Sequence, residues 1–224
     1  ASPAPEILRV RTYHYKGEVV NTPSFELELH EELPLDVTDS EEEISIKSGE
    51  LTLVITKKNW SMTYYRNGEM ITRSAGRDLA LMKTDFKGFA YNDTDAEETY
   101  MRQMLSLSVG ELVYGTGERF TPFVKNGQSI DIWNADGGTS TEQSYKNIPF
   151  FITNKGYGVL VNHPEKVSIE VATEMVTRTE FSVPGGYLDY FLINGPTMKE
   201  VLTRYTDLTG KPSLPAPWTF GLWL

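Results

Sequence analysis

From residue 6 to about residue 110 apolar and polar positions alternate, in "EILRVRTY", "SFELELHE", "EEISIKSG", "ELTLVITK" and "RQMLSLSV". Period two places every second side chain on one face, so each stretch is predicted to be a strand of antiparallel sheet with one wet side. "WSMTYYRNGEMITRS" holds Asn67-Gly68 between two such arms, and that pair supplies the positive φ of a tight hairpin turn. The acidic run from Asp36 to Glu43 reads as a solvated linker between strands. Further along, "PFFITNKGYGVLVNHPEKVSIEVA" and "RTEFSVPGGYLDYFLING" give more strands, parted by turns at Asn154-Lys155-Gly156 and Pro184-Gly185-Gly186. Many short strands at this spacing point to a mainly β fold, an antiparallel β-sandwich.

One segment changes period. "PTMKEVLTRYTDLTGKP" puts Met198, Val201, Leu202, Tyr205 and Leu208 on one helical face. Thr197 with Glu200 forms a capping box, and Gly210 then Pro212 supply a stop, so a single closing helix is expected near 197 to 209. After it "SLPAPWTFGLWL" passes through Pro215 and Pro217 into Trp218, Phe220, Leu222, Trp223 and Leu224. An apolar strand left without a partner invites aggregation. The expectation is therefore a truncated chain, with a β-sandwich over 1–211 and a linker and first strand of another domain over 212–224. A terminal strand tucked into the same sandwich is the alternative.

Composition narrows the partners. With 224 residues, 39% of them hydrophobic and 12% aromatic, the chain can bury a real core. A formal charge of -10 argues against nucleic acid and anionic membrane surfaces and favours a neutral partner. The absence of cysteine removes thiol catalysis, zinc–sulfur sites and disulfides. His14, His30 and His163 are far apart in sequence, and no apolar run reaches the length of a membrane span.

Candidate chemistry is sparse. "YGTGERF", residues 114 to 120, lacks the third glycine and the helix of a dinucleotide fingerprint. Its glycines are read as sites of positive φ or close packing, with Glu118 and Arg119 pairing locally. Tyr145-Lys146 resembles an acid/base pair only in name, because neighbours in a loop do not face one another. The notable stretch is "DIWNADGGTSTEQSYKNIPFF", residues 131 to 151, a long loop without apolar periodicity. Trp133, Asn134, Asp136 and Tyr145 are the residue types that hold neutral sugars, amides and carboxylates for hydroxyl pairs and aromatic faces for the C–H surface. The same composition suits an Ω-loop in which Trp133 and Phe150 plug the domain and Asp136 satisfies its own backbone. Composition leaves both open.

"ELVYGTGERFTPFVKNGQSIDIWNADGGTSTEQSYKNIPFFITNKGYGVLVNHPEKVSIEV" and "GPTMKEVLTRYTDLTGKPSLPAPWTFGLWL" closely resemble the N-terminal, galactose mutarotase-like β-sandwich of glycoside hydrolase family 31. The resemblance is dense from Leu105 onward and rests on strand pattern before it. "DGGTSTEQSYKNIPFF" is similar to the α-xylosidase branch rather than to the α-glucosidases. The resemblance implies a retaining enzyme that releases α-linked xylose from xyloglucan-type oligosaccharides, with isoprimeverose as the unit. Its nucleophile and acid/base aspartates belong to a following (β/α)8 barrel. It therefore implies no catalytic residue in this chain, a start missing from the domain, and Trp218 to Leu224 on the first barrel strand. Asp136 is implied to bind substrate hydroxyls, with Trp133 and Tyr145 beside it. A homo-oligomer without metal or organic cofactor is expected. A non-catalytic carbohydrate-binding or assembly module, an α-glucosidase of the same family, and a sugar-anomer isomerase on a similar sandwich are the competing readings.

Overall fold

The structure is a computed structural model that describes residues 1–15, 17, 24–29, 33–84, 98–135, 142 and 144–222. In chain order its strands are β1 (Ile7–Tyr13), β2 (Asp36–Asp39), β3 (Glu43–Ser48), β4 (Leu51–Thr56), β5 (Ser61–Arg66), β6 (Glu69–Ser74), β7 (Leu79–Thr84) and β8 (Glu98–Ser106). There follow β9 (Val113–Glu118), β10 (Gln128–Ile132), β11 (Lys146–Thr153), β12 (Tyr157–Val161), β13 (Val167–Val171), β14 (Arg178–Pro184) and β15 (Tyr187–Asn194). One α-helix, α1 (Met198–Thr209), and a 3-10 turn at Pro217–Phe220 complete the described chain. The strands form three five-stranded sheets, ordered β1-β15-β12-β11-β9, β10-β13-β14-β8-β7 and β2-β3-β4-β5-β6. Every described pairing is antiparallel.

The first of these sheets is buried on both faces. Leu8, Phe151, Val159, Val161, Tyr190 and Leu192 enter the main core, which also draws on the other two sheets. Their chain neighbours Ile7, Phe150, Ile152, Leu160, Phe191 and Ile193 enter a second core with Val201 and Leu208 of α1. A strand covered on both sides has no wet face to keep polar, which is why β11, β12 and β15 read as continuous apolar runs. The sheets are also tied by polar atoms: the buried hydroxyls of Tyr64 in β5 and Tyr190 in β15 meet at 3.0 Å.

The helix forms where its caps predict it. The Thr197 side chain accepts from the Glu200 backbone N–H, and the Glu200 carboxylate accepts in return from the Thr197 backbone. Its buried stripe is narrower than the five-residue face expected. Val201 and Leu208 are buried, and Tyr205 stacks on Phe150 with ring centroids 4.0 Å apart, whereas Met198 and Leu202 are exposed. One row of side chains, Val201, Tyr205 and Leu208, meets the sheet. Gly158 of β12 lies under that row, and a Cβ there would stand 2.9 Å from Val201 Cγ1.

Three stretches differ from their sequence reading. "SFELELHE" was expected as a strand, yet residues 24–29 form none. They run beside α1 instead, where the Glu28 N–H donates to the Leu208 carbonyl at 2.8 Å and Leu27 packs on the second core. The last carbonyls of a helix lack intrahelical donors, so this segment completes a helix end rather than a sheet edge. The acidic run is only partly linker: Asp36–Asp39 forms β2, exposed throughout and paired with β3. Charge on an edge strand discourages further pairing. The hairpin at Asn67-Gly68 is as expected, with φ of 48° and 83°. Of Trp218 to Leu224, expected on the first strand of a following barrel, Trp218 to Phe220 lie in a 3-10 turn, Pro217–Phe220, with Trp218 and Phe220 exposed. Pro217 has no N–H for a ladder and its fixed φ suits a first helical turn.

Two outcomes are expected from this packing. Leu208→Ala should cost about 2–5 kcal/mol by urea denaturation, as for other buried leucines, while Leu202→Ala should change stability by less than about 0.5 kcal/mol. Glu180 of β14 is buried, 3.9 Å from Arg102, and burial lifts its carboxyl from 4.5 to about 7, with Arg102 opposing and Glu170, Glu174 and Asp78 adding to the rise. The folded state thus keeps a proton that the unfolded chain releases near 4.5, and the associated stability is lost as pH rises from 4.5 through about 7. The melting temperature of Glu180→Gln relative to the unsubstituted protein should therefore increase between pH 5 and pH 8; a constant difference would contradict the account.

Candidate functional site

The stretch 131–151 divides differently from its sequence reading. Asp131 and Ile132 finish β10, and β11 already begins at Lys146, so the connection is 133–145. The shortening comes from β9. Lys146 pairs with Glu118 and Asn147 with Gly117, after which a register shift leads to Phe151 opposite Gly115. Such close strands need the glycines. Gly115 and Gly117 have φ of 107° and 89°; a Cβ on Gly115 would lie 2.8 Å from the Phe150 carbonyl, and one on Gly117 would collide with that of Lys146. "YGTGERF" is therefore a packing motif, as its composition suggested. Glu118 and Arg119 do not pair locally: Glu118 meets Lys146 at 3.0 Å, and Arg119 turns to the loop.

Asn147 is the hub at the base of the loop. Its backbone N–H donates to Asn134 Oδ1 at 2.9 Å, and its Nδ2 donates to the Trp133 carbonyl at 2.9 Å and the Ser144 carbonyl at 2.8 Å. Its Oδ1 accepts from Arg119 Nη1, which also donates to the Asp131 carbonyl at 3.0 Å. The Ala135 N–H closes the neck on the Ser144 carbonyl at 3.1 Å. Burial lowers the Arg119 pKa, against Glu142 and Asp131, which raise it. A guanidinium in such surroundings remains charged. It strengthens the hydrogen bonds that it makes.

Trp133 and Tyr145 stand at the two described ends of the loop, 59% and 67% exposed. The plug expected of Trp133 and Phe150 is made by Phe150 alone. The two aromatic residues open on different cavities. Tyr145 lines one of about 560 Å³ with Arg119, Phe120, Phe123 and Lys125. Lys125 is buried there, donating to Thr121 Oγ1 at 3.1 Å and the Pro122 carbonyl at 2.9 Å, and burial followed by Arg119 lowers its pKa. Trp133 borders a cavity of about 260 Å³ with Phe25, His163 and Glu165, and one of about 410 Å³ with Arg119, Asp131 and Lys166. Asp136 and His30 lie outside the described residues. Among the described residues no three His, Asp or Glu gather as a metal site.

Sequence reasoning passed over Asn147, Arg119, Phe25 and the surroundings of His163. The first two were in quoted motifs, but their role depends on carbonyls brought in from other strands. Only the odd mixture of an asparagine before Ile-Pro in an apolar strand could have marked Asn147.

The fold and this loop define a class: an antiparallel β-sandwich that presents one aromatic-flanked loop from a rigid sheet base. The chain belongs to the glycosyl hydrolase 31 N-terminal galactose mutarotase-like domain family, which it matches over residues 1–170. That match includes the first hundred residues, where the resemblance rested on strand pattern. The whole chain is 42% identical to α-xylosidase XylQ of Lactiplantibacillus pentosus and 43% identical to an α-xylosidase of Emericella nidulans. It spans 28% and 30% of their lengths. An α-glucosidase of Bacillus thermoamyloliquefaciens is 28% identical over 85% of the chain, which spans 23% of it. The fold recurs in a family 31 dextranase of Flavobacterium johnsoniae complexed with isomaltotriose, with a TM-score of 0.82 at 21% identity over 97% of this chain and 26% of that one. It recurs in a family 31 α-xylosidase from a soil metagenome complexed with xylose, with a TM-score of 0.72 at 18% identity over 95% of this chain and 32% of that one.

Removal of the hub tests the neck. Asn147→Ala removes the side-chain bonds to Arg119, Trp133 and Ser144. The Trp133 carbonyl is left without its donor, while Arg119 keeps the Asp131 carbonyl and the Ser144 carbonyl keeps the Ala135 N–H. The substitution should lower stability by about 1–3 kcal/mol with a faster, larger-amplitude motion of Trp133. Fluorescence anisotropy, with Trp133→Phe to isolate the contribution of that residue, reads the second effect.

Proposed function

We propose that this chain is the N-terminal domain of a retaining α-xylosidase that releases α-linked xylose from xyloglucan-type oligosaccharides such as isoprimeverose. The loop 133–145 supplies contacts to the substrate. The observation that carries the reading is the higher identity with α-xylosidases, over the whole chain, than with an α-glucosidase of the same family. In this reading residues 1–211 are the domain and 212–224 lead into a (β/α)8 barrel holding the aspartate nucleophile and the aspartate acid/base, so that this chain alone turns over nothing. Two carboxyl groups about 5–5.5 Å apart suffice for retaining hydrolysis, through a covalent glycosyl-enzyme intermediate. The reaction then uses no metal or organic cofactor. The whole protein is a homo-oligomer.

The domain contributes position rather than bond cleavage. Asp136 accepts hydrogen bonds from sugar hydroxyls, and a charged acceptor beside a partly desolvated ring binds them more strongly than a neutral one. Trp133 and Tyr145 offer apolar faces to C–H surfaces. The anchored neck made by Asn147 and Arg119 supports this reading, because a binding loop that is held before the ligand arrives loses less entropy on binding.

In the complete protein, Asp136→Ala should lower kcat/KM on an α-xylosyl oligosaccharide by about 1–3 kcal/mol, and lower it less on an activated aryl α-xyloside, with the melting temperature unchanged. Equal losses on both substrates with a lower melting temperature would make Asp136 a turn residue. Turnover of α-glucosides but not α-xylosides would move the protein to the neighbouring branch, and sugar binding without turnover would make it a binding module.

A further inference from the structure

The turn after β12 carries a buried group that the loop reading leaves unused. His163 is 7% exposed, and its Nε2 has no hydrogen-bond partner among the described residues. Buried polar atoms are nearly always paired, by protein groups or by a bound molecule. Glu165 Oε2 lies 3.9 Å from this nitrogen, too far for a direct hydrogen bond. A separation of 3.9 Å is one that a single bridging oxygen spans with about 2.8 Å to each atom. The two groups border the cavity of about 260 Å³ that Phe25 and Trp133 flank.

The chemistry of this cavity selects its ligand. Glu165 and the net charge of -10 oppose an anion. Two potential ligand groups fall short of the three or four that hold a transition metal. An unpaired imidazole nitrogen is wasted on a purely apolar molecule. Burial lowers the His163 pKa, with Glu165 opposing, and the neutral ring keeps one nitrogen to donate and one to accept. The volume lies below the range of about 300–1,000 Å³ typical of drug-sized ligands, and so matches one small ring.

We propose that this cavity is a binding subsite for one neutral pyranose ring of an oligosaccharide, flanked by Trp133 and Phe25, with one ring hydroxyl donating to Glu165 and sharing a hydrogen bond with His163 Nε2. The inference rests on the reading that Trp133 faces sugar, and adds to it the polar partners and the residue from the segment beside α1. Occupation of this subsite holds a substrate through its uncleaved part.

Calorimetric titration of the complete protein with cellotetraose, a β-linked glucan with no α-xylosidic bond to cleave, tests the subsite apart from catalysis. His163→Phe, which preserves ring volume, should weaken binding five- to tenfold, Trp133→Ala at least fivefold, and Glu165→Gln about threefold. Glu165 is half exposed, so its variant keeps the test open if His163→Phe fails to fold. No binding by the unsubstituted protein at millimolar concentration, or equal affinity in Glu165→Gln, overturns the subsite. The outcomes separate from those of Asp136→Ala: an effect of Asp136→Ala on hydrolysis with unchanged binding by the His163 and Glu165 variants leaves the function standing and removes the subsite. The converse keeps the subsite and removes the role of the loop aspartate.

Discussion

Everything near the loop depends on the double burial of β11. Phe150 enters the core under α1 and Phe151 the core between the sheets, where its ring centroid lies 6.4 Å from that of Phe181. A slip of one residue would exchange the faces and put each ring in the wrong core, so the register is fixed from both sides at once. Fixing Phe150 also fixes Asn147, three residues before it on the same strand. The hub of the loop neck is thereby set by hydrophobic packing, although its own contacts are all polar.

The polar neck then does what packing cannot. Asn147 uses both side-chain atoms and its backbone N–H, and Arg119 bridges from the end of β9 to the Asp131 carbonyl. These bonds satisfy the carbonyls of Asp131, Trp133 and Ser144 where the chain leaves and rejoins the sheets. Two aromatic side chains can then remain in solvent at its ends. Exposed Trp and Tyr cost little conformational entropy when they bind, because each has only two side-chain torsions.

The sequence made the strands, the Asn67-Gly68 hairpin and the capped helix legible because each rests on local rules: period two, positive φ and reciprocal caps. It misled at residues 24–29, where alternating Phe25, Leu27 and Leu29 imitate a strand but meet a helix end. It also overstated the loop, because pairing of β11 with β9 depends on what Gly115 and Gly117 allow a distant segment to approach. The aromatic residues of the candidate site were visible by type. That Trp133 and Tyr145 face different cavities was not, since direction along a loop is set by its anchors. His163 was invisible as a site for the same reason: its significance lies in an unpaired nitrogen, and pairing is a property of the whole fold.

The two ends of the loop belong to different sheets, and this ties the candidate site to the core more closely than either end shows. β10 lies at the edge of the sheet with β13 and β14, whereas β11 lies within the sheet that carries α1. Ile130 and Ile132 of β10 share the main core with Phe151 of β11, so the distance between the loop's stems is the distance between packed sheets. Close-packed interiors deform little and transmit what strain they receive. Phe181 of β14 packs between the sheets against both Phe151 and Tyr190, so the sheets that bear the two stems meet at one shared aromatic cluster. The apolar core therefore sets the separation of the loop's two stems as well as contributing to stability.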